Sequence, residues 1–585
     1  MPLTPPVWVF GLAALAIVAL VMRARAQAAK LEAARRSWGS IRTAPRNMEA
    51  VAAYYLARRT DESIASGLDD KTWADLDMDD VFAVVDRTES VVGRQLLYAR
   101  MRAAPTAPNL EAFDILATRF ASDVQARELA QLNLRAMGDS VDAADLFALA
   151  GHRVIESKAW HVVFPLLATS TAVAVAAAIV WPAAIFAIAA VVVVNLTLRG
   201  TVAHDLRIAG RGFRQINPLL RTAEALRGLD QSDTAALTQS LSVDTPRLTR
   251  LRRVAAWAGR DTSAAMSGEI GAVLLEYFNM TFCLDGNALY FGARRLKALA
   301  PELLRVAAAI GDIDAALSVA SFRISTAVWT RPVLGSRGTP MEVVDVRHPL
   351  VPDAVPNSFT FVPPYGAIIT GSNMSGKTTF LRTVGVAAVM AQTINTCVAS
   401  QYRSPIFMVR TCIGRADDPA SGKSYYLVEV DAVLSLLAAA TTSAPHLLLF
   451  DELFRGTNTV ERIAAGEAVL ATLISRESRG STPHVVLAAT HDQELVDLLK
   501  GRYDALHFSE TAGADGLTFD YRLHPGPATT RNAIALLGIR GADPSLKTRI
   551  DDYETALEIA RSAGVRRPEL TAELSAIIEL LEAAH

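Results

Sequence analysis

The chain is poor in cysteine. Cys283, Cys397 and Cys412 lack the spacing of metal ligands, so they read as reduced core residues in a cytosolic setting. An excess of either charge is also missing. The 58 Lys+Arg against 60 Asp+Glu leave a formal charge of −2, so the chain has no global basic footprint for nucleic acid. No repeat or low-complexity segment stands out. The acidic stretch from Asp69 to Asp80 lacks the glycine turn and closing glutamate of a calcium loop. It reads instead as a solvated linker that caps the next helix.

Apolar residues are plentiful, at 51% of 585, and mean hydropathy is positive. At about 150 residues per domain the length predicts three or four units. Val7 to Met22 is an apolar run followed by Arg23, Arg25, Lys30, Arg35 and Arg36. A signal peptide carries its positive charge ahead of the apolar core, so residues 1–23 read as an uncleaved anchor, slightly short of the roughly 20 residues that span a bilayer. Val162 to Val180 is uncharged, Trp181-Pro182 breaks it, and Ala183 to Leu198 is apolar again except for Asn195 and Thr197. Basic residues flank the pair, which predicts a transmembrane hairpin over residues 158–199 with both ends inside. These three predicted transmembrane helices carry no internal charge and form no solute pathway. They place a helical unit, 24–157, and everything after 199 on the cytoplasmic face of a multi-pass protein of the cell membrane. Residues 200–311 read as further helices. Their first part is basic and best suits anionic lipid headgroups, with DNA phosphates as the competing partner, since a basic helix face serves either.

The densest chemistry lies between residues 312 and 543. Gly371-Ser372-Asn373-Met374-Ser375-Gly376-Lys377-Thr378 has the G-x-x-x-x-G-K-[ST] form, between a short apolar strand, Gly366 to Thr370, and an apolar helical run, Thr379 to Thr393. Glycines let successive N–H groups turn inward toward phosphates, and the following helix presents its positive end. Lys377 would add a point charge at the β- and γ-phosphates, and the Thr378 hydroxyl would ligate Mg²⁺. His446 to Glu452 is an apolar run ending in two carboxylates. Asp451 would hold Mg²⁺, and Glu452 would polarise the attacking water as general base. A third apolar run, His484 to Thr490, delivers His491 to sense the γ-phosphate, although a histidine at a strand end can also be purely structural. The implied substrate is ATP with Mg²⁺, in an α/β P-loop domain preceded by all-α regions. The tail, 544–585, alternates apolar and charged residues at helical spacing.

Several segments resemble the MutS ATPase domain, of the ABC type: Thr370 to Thr379, Asp417 to Ser424, Asp451 to Asn458 and Ala489 to His491. Arg347-His-Pro-Leu350 is similar to the strand that leads into that domain, and Tyr521 to Leu523 with Ala533 to Gly541 to its closing strand and helix. The resemblance implies a homodimer closing over ATP, in which Ser421, Gly422 and Ser424 reach the γ-phosphate held by the other copy and Arg455 to Thr457 lie at the same interface. It implies DNA as the cargo of the helical arms. Three departures stand out. Ser372 and Ser375 replace the usual Pro and Gly, Phe454 stands where Gly is usual, and the family's aromatic that stacks on adenine has no clear match before Gly371. The single Phe-x-Glu, Phe508 to Glu510, lies inside the ATPase region rather than in an amino-terminal domain, which argues against a mismatch sensor. Two readings therefore stand side by side: a membrane-anchored MutS-like ATPase related to DNA repair, and a membrane mechanochemical ATPase acting on a protein or membrane partner with no DNA role. Glu452 argues against a third, a switch without turnover.

Overall fold

The computed structural model describes residues 7–61, 66–104, 107–138, 159–229, 232–242, 277–363, 365–372, 374–413, 425–440, 444–455, 457–477, 484–513 and 516–528. Asn373, Ser421, Gly422, Ser424 and the tail 544–585 lie outside these residues. The chain divides into two units, residues 1–334 with 386–402, and residues 335–385 with 403–585.

The first unit is helical: α1 (Val7–Ser37), α2 (Met48–Ala57), α3 (Asp70–Asp75), α4 (Met78–Val85), α5 (Val91–Arg102), α6 (Ala107–Ser122), α7 (Val124–Ala136), α8 (Val163–Val180), α9 (Ile185–Leu226) and α10 (Leu284–Ser325). The 42-residue α10 is the spine, packing on α5, α6 and α9. Leu303, Val306, Ile310, Ile313, Leu317 and Ala320 recur every three or four positions along its buried face. Asp314 on the same helix is fully buried, and its carboxylate accepts from Glu89 N (2.9 Å), Ser90 N (2.8 Å) and Ser90 Oγ (2.6 Å). Those bonds fix the break between α4 and α5. The acidic stretch at Asp69 is also more ordered than a linker. The Asp69 side chain caps α3 by accepting from Thr72 N at 2.6 Å, and Trp73 is buried.

The membrane expectation needs correction. Among the described residues one helix, Trp160–Val180, is long and apolar enough to cross a bilayer, where three are predicted. Only 11% of its apolar window is buried. The next apolar stretch, Pro182–Leu198, is shorter: at 1.5 Å per residue it rises about 25 Å, short of a hydrocarbon core of about 30 Å. It then continues as the polar part of α9. The first predicted span falls within α1, whose side chains are described only from Ile17 onward. Two polar groups inside the apolar hairpin are satisfied by one carbonyl, that of Thr281, which accepts from Asn195 Nδ2 (2.9 Å) and Thr171 Oγ1 (3.2 Å). That carbonyl lies just before α10, where Cys283 adopts a left-handed φ of 50°.

The second unit is built on a six-stranded sheet with helices, a mixed α/β architecture. Its strands are β3 (Tyr365–Thr370), β4 (Met408–Cys412), β5 (His446–Asp451), β6 (Val485–Ala489), β7 (Asp504–Gly513) and β8 (Gly516–Pro525). Two further strands, β1 (Met341–Val346) and β2 (Asn357–Phe361), pair antiparallel in a separate sheet. The six-stranded order is β8-β7-β3-β6-β5-β4, parallel except for the β7–β8 hairpin. In β3, β5 and β6 nearly every side chain is buried, which is why their sequences are apolar throughout rather than alternating. Helices α11 (Lys377–Ile394), α12 (Tyr425–Ala439), α13 (Thr459–Glu477) and α14 (Gln493–Leu498) follow the strands. Ile368, Leu448, Phe450 and Val486 pack with Leu470 and Leu473 of α13 into one core.

Candidate active site

Strand register brings the site together. Ile369 of β3 and Asp451 of β5 both pair with Ala489 of the intervening β6. The residues that leave these strands, Gly371, Glu452 and His491, therefore emerge side by side at one edge, the carboxyl edge where α/β sheets bind ligands. Two backbone bonds tie the turns: Glu452 N donates to Ala489 O (2.9 Å) and Thr490 N to Ile369 O (3.0 Å).

The loop after β3 requires its glycines. Gly371 has φ 142°, and a Cβ there would stand 2.8 Å from Ser375 Oγ and 3.0 Å from Phe508 O; Gly376 has φ 105°. The serines that depart from the family pattern make bonds of their own. Ser375 Oγ donates to Ser372 O at 2.9 Å, and the Ser372 hydroxyl is hydrogen-bonded to Glu510. Phe508 is buried and packs 5.7 Å from Phe380 at the start of α11, so the Phe-x-Glu pair serves as a strut behind the loop. Met374 is exposed, whereas Ser375 and Lys377 are buried.

Lys377 Nζ turns back onto the loop, donating to Gly371 O (2.6 Å) and Ser372 O (2.7 Å). Burial lowers its pKa to about 8, against the upward pull of Asp451, Glu452 and Glu510. Thr378 Oγ1 donates to Asp451 Oδ2 at 2.7 Å. Burial raises the Asp451 pKa despite that bond. Thr379, next in α11, has its backbone carbonyl hydrogen-bonded by Thr383 Oγ1 at 2.7 Å.

Glu452 takes a left-handed φ of 51° and is gripped from two sides, by His491 Nε2 (2.6 Å) and Arg455 Nη1 (2.9 Å). The His491 bond is the chief cause that holds its carboxyl below the usual range. His491 thus meets the carboxylate, not a position of its own. The turn carrying it is fixed by Asp492, which accepts from Arg462 Nε (2.8 Å) and Nη2 (2.7 Å). Phe454, at the position where the family favours glycine, adopts φ 58°, the backbone that glycine reaches freely. Its N–H donates to Glu429 Oε1 (2.5 Å) and its ring is buried, which holds the strained residue in place.

Sequence reasoning missed Arg455 as a partner of Glu452, Glu510 as a support of the loop, the Arg462–Asp492 pair, and Tyr521. A Cβ on Gly376 would lie 3.3 Å from the Tyr521 ring, which is 45% exposed beside the loop and has φ 54° at a register shift of β8. Asn357 holds that shift, donating to Tyr521 O (3.1 Å) and accepting from Leu523 N (2.8 Å).

Chemically, a hydroxyl beside a carboxylate offers the hard oxygen donors that Mg²⁺ prefers, and a nearby lysine suits a phosphate. No cluster of three or more His, Cys, Asp or Glu able to hold a metal exists among the described residues.

Comparison with known proteins points the same way. Residues 367–546 match the family model described as MutS domain V. The chain is 35% identical over 292 residues to DNA mismatch repair protein MutS 2 of Halobacterium salinarum, covering 48% of this chain and 30% of that protein. It is 33% identical over 261 residues to DNA mismatch repair protein MutS of Thermus aquaticus, covering 44% and 30%. A third relative, MutS 2 of Haloarcula marismortui, is 30% identical over 338 residues, covering 53% and 34%. The chain therefore spans about a third of the length of the curated relatives it matches. At the level of its site-bearing segment, this chain is similar to the ATPase domain of the MutS proteins.

Proposed function

We propose that the chain is a membrane-attached MutS-like ATPase, related to DNA repair, that hydrolyses ATP at a site completed by a second copy of itself. The observation that carries this reading is the contact of Thr378 with Asp451 at 2.7 Å, beside the buried Lys377 and the Glu452–His491 pair. Lys377 would leave the carbonyls of Gly371 and Ser372 for the β- and γ-phosphates, and the N–H groups of residues 371–379 would cradle them. Thr378 and Asp451 would hold Mg²⁺, which when bound offsets phosphate charge. In the resting geometry Glu452 is stabilised as an anion by two donors and is a weak base. When His491 turns toward the γ-phosphate, the carboxylate is freed to take a proton from the attacking water. Tyr521 offers an aromatic face to the base, in place of the family's adenine-stacking aromatic, which has no clear match ahead of Gly371.

The resemblance to MutS supports a composite site, with Ser421, Gly422 and Ser424 supplied across a dimer, and DNA as cargo. Membrane attachment at the cytoplasmic face is supported by the exposed apolar helix Trp160–Val180 and by the apolar run at Val7 with its basic flank. The same exposed hairpin favours the second reading, an ATPase that moves a membrane or protein partner without touching DNA. Two measurements on full-length protein in detergent separate the readings. Light scattering of Glu452→Gln with Mg²⁺ and ATP should give a doubled protein mass; a monomer with ATP bound contradicts the composite site. Affinity for plain, mismatched and branched DNA should fall steeply as salt rises if phosphates are contacted, and absence of binding selects the second reading.

A further inference from the structure

The apolar hairpin of α8 and α9 is joined by a third segment. Residues 277–282 are helical and enter α10 through the left-handed Cys283. Contacts at two levels of the hairpin place them. At the end away from the Trp181-Pro182 turn, a Cβ on Gly286 of α10 would stand 2.5 Å from the Phe164 ring, and Cys283 packs with Phe164 and Leu198. Thr171 lies seven residues further along α8, about 10 Å at roughly 1.5 Å per residue. There Thr171 Oγ1 donates to Thr281 O (3.2 Å), and Asn195 Nδ2 of α9 donates to the same carbonyl (2.9 Å). Tyr277 and Phe278 stand within about one helical turn of that carbonyl, so they share the level of the hairpin's apolar stretch.

Burial in these segments is inverted. Thr171 and Asn195 are buried, whereas Val173, Ile179 and Phe186 are exposed, Tyr277 is 65% exposed and Phe278 is 59% exposed. The outward hydroxyls of Thr169, Ser170 and Thr197 donate to carbonyls of their own helices at 2.8–2.9 Å, and Thr281 Oγ1 donates to Tyr277 O at 2.7 Å. Apolar side chains outside, with hydroxyls satisfied by the local backbone, is an arrangement that hydrocarbon favours over water. Charge follows the same order as at the hairpin. Beyond Gly286, Phe291 is half exposed and the sequence of α10 turns basic at Arg294, Arg295 and Lys297, as Leu198 is followed by Arg199. Basic residues at that level complement anionic headgroups. We propose that residues 277–282 enter the bilayer beside the hairpin, just beneath the headgroups, with Tyr277 and Phe278 against acyl chains. The spine helix α10 then begins in the membrane. This inference rests on the membrane attachment proposed above.

The test uses full-length protein reconstituted in vesicles of phosphatidylcholine and phosphatidylglycerol. A nitroxide label is placed at Phe278→Cys and, in a separate variant, at Val173→Cys on the hairpin. The three native cysteines are buried, and unsubstituted protein taken through the labelling corrects for any that react. Collisions of each label with oxygen, which concentrates in hydrocarbon, and with a water-soluble nickel chelate are measured by power saturation. The expected result at both positions is frequent collision with oxygen and loss of collision with the chelate. Lipid contact at residue 173 with chelate contact at residue 278 overturns the proposal and leaves the attachment standing. So does shielding of residue 278 from both reagents, which would mean that a second copy or another protein covers it. Chelate contact at both positions overturns the attachment as well. Should Phe278→Cys not fold, unsubstituted protein in the same vesicles is tagged with an apolar photoreactive reagent dissolved in the bilayer, and the adducts are mapped by mass spectrometry. Adducts at 277–282 are expected, and adducts on the hairpin alone overturn the proposal.

Discussion

Lys377 makes nucleotide affinity a function of pH in a range where little else in the site titrates. Burial is the main reason its pKa sits at about 8, below the ordinary lysine value of about 10.4. The folded protein therefore disfavours the charged lysine, whereas a bound phosphate requires it. At pH 7 about nine in ten molecules carry the proton, and at pH 9 about one in eleven does. Affinity for Mg²⁺-ATP should then fall about sixteenfold between pH 8 and 9.5, approaching about 1.4 kcal/mol per pH unit well above the pKa. The terminal phosphate is already fully ionised there and does not contribute. Stability without nucleotide moves oppositely. A lysine depressed in the folded state binds fewer protons there than in the unfolded chain, so its contribution to stability rises from about pH 8 toward the unfolded value near 10.4. The assay is titration of a fluorescent ATP analogue with Mg²⁺ at constant ionic strength, against Lys377→Arg, whose guanidinium keeps its proton throughout. A flat wild-type profile up to pH 9.5, or an equal slope in the arginine variant, refutes the reasoning.

Further outcomes follow from the same geometry. Phe450→Ala, at a fully buried position near the carboxyl end of β5, should cost about 3–5 kcal/mol in chemical denaturation of the second unit. Gly371→Ala forces a Cβ against Ser375 Oγ and Phe508 O at φ 142°, so nucleotide binding should be lost in the same titration while circular dichroism retains the fold. Tyr521→Ala should raise the Kd for ATP about tenfold, equivalent to roughly 1.4 kcal/mol of stacking, and should reduce discrimination between ATP and GTP.

The parallel core was legible because strands buried on both faces must be apolar throughout. The runs ending at Thr370, Phe450 and Ala489 are such strands, and the apolar helical run after Gly376 is α11. Interactions between residues far apart in sequence were not legible. The break at Asp86–Ser90 depends on Asp314, more than 200 residues later, which accepts the N–H groups that a continuous helix would use. Glu510 reaches Ser372 only because β7 lies beside β3. The pairing of His491 with Glu452 depends on how two turns face each other, and no spacing encodes that. Membrane spans were read from apolar runs, and one such run was counted as a span although its apolar part is shorter than a bilayer-crossing helix needs. That run is Pro182–Leu198.

ATP turnover by purified full-length protein, beside Glu452→Gln, probes the site most directly. Wild type should hydrolyse ATP only with Mg²⁺. The variant should bind ATP with unchanged affinity and hydrolyse it about 10²–10⁴-fold more slowly, the range for losing a general base. Equal rates in the two proteins, or no retention of ATP by either with Mg²⁺ supplied, would contradict the account.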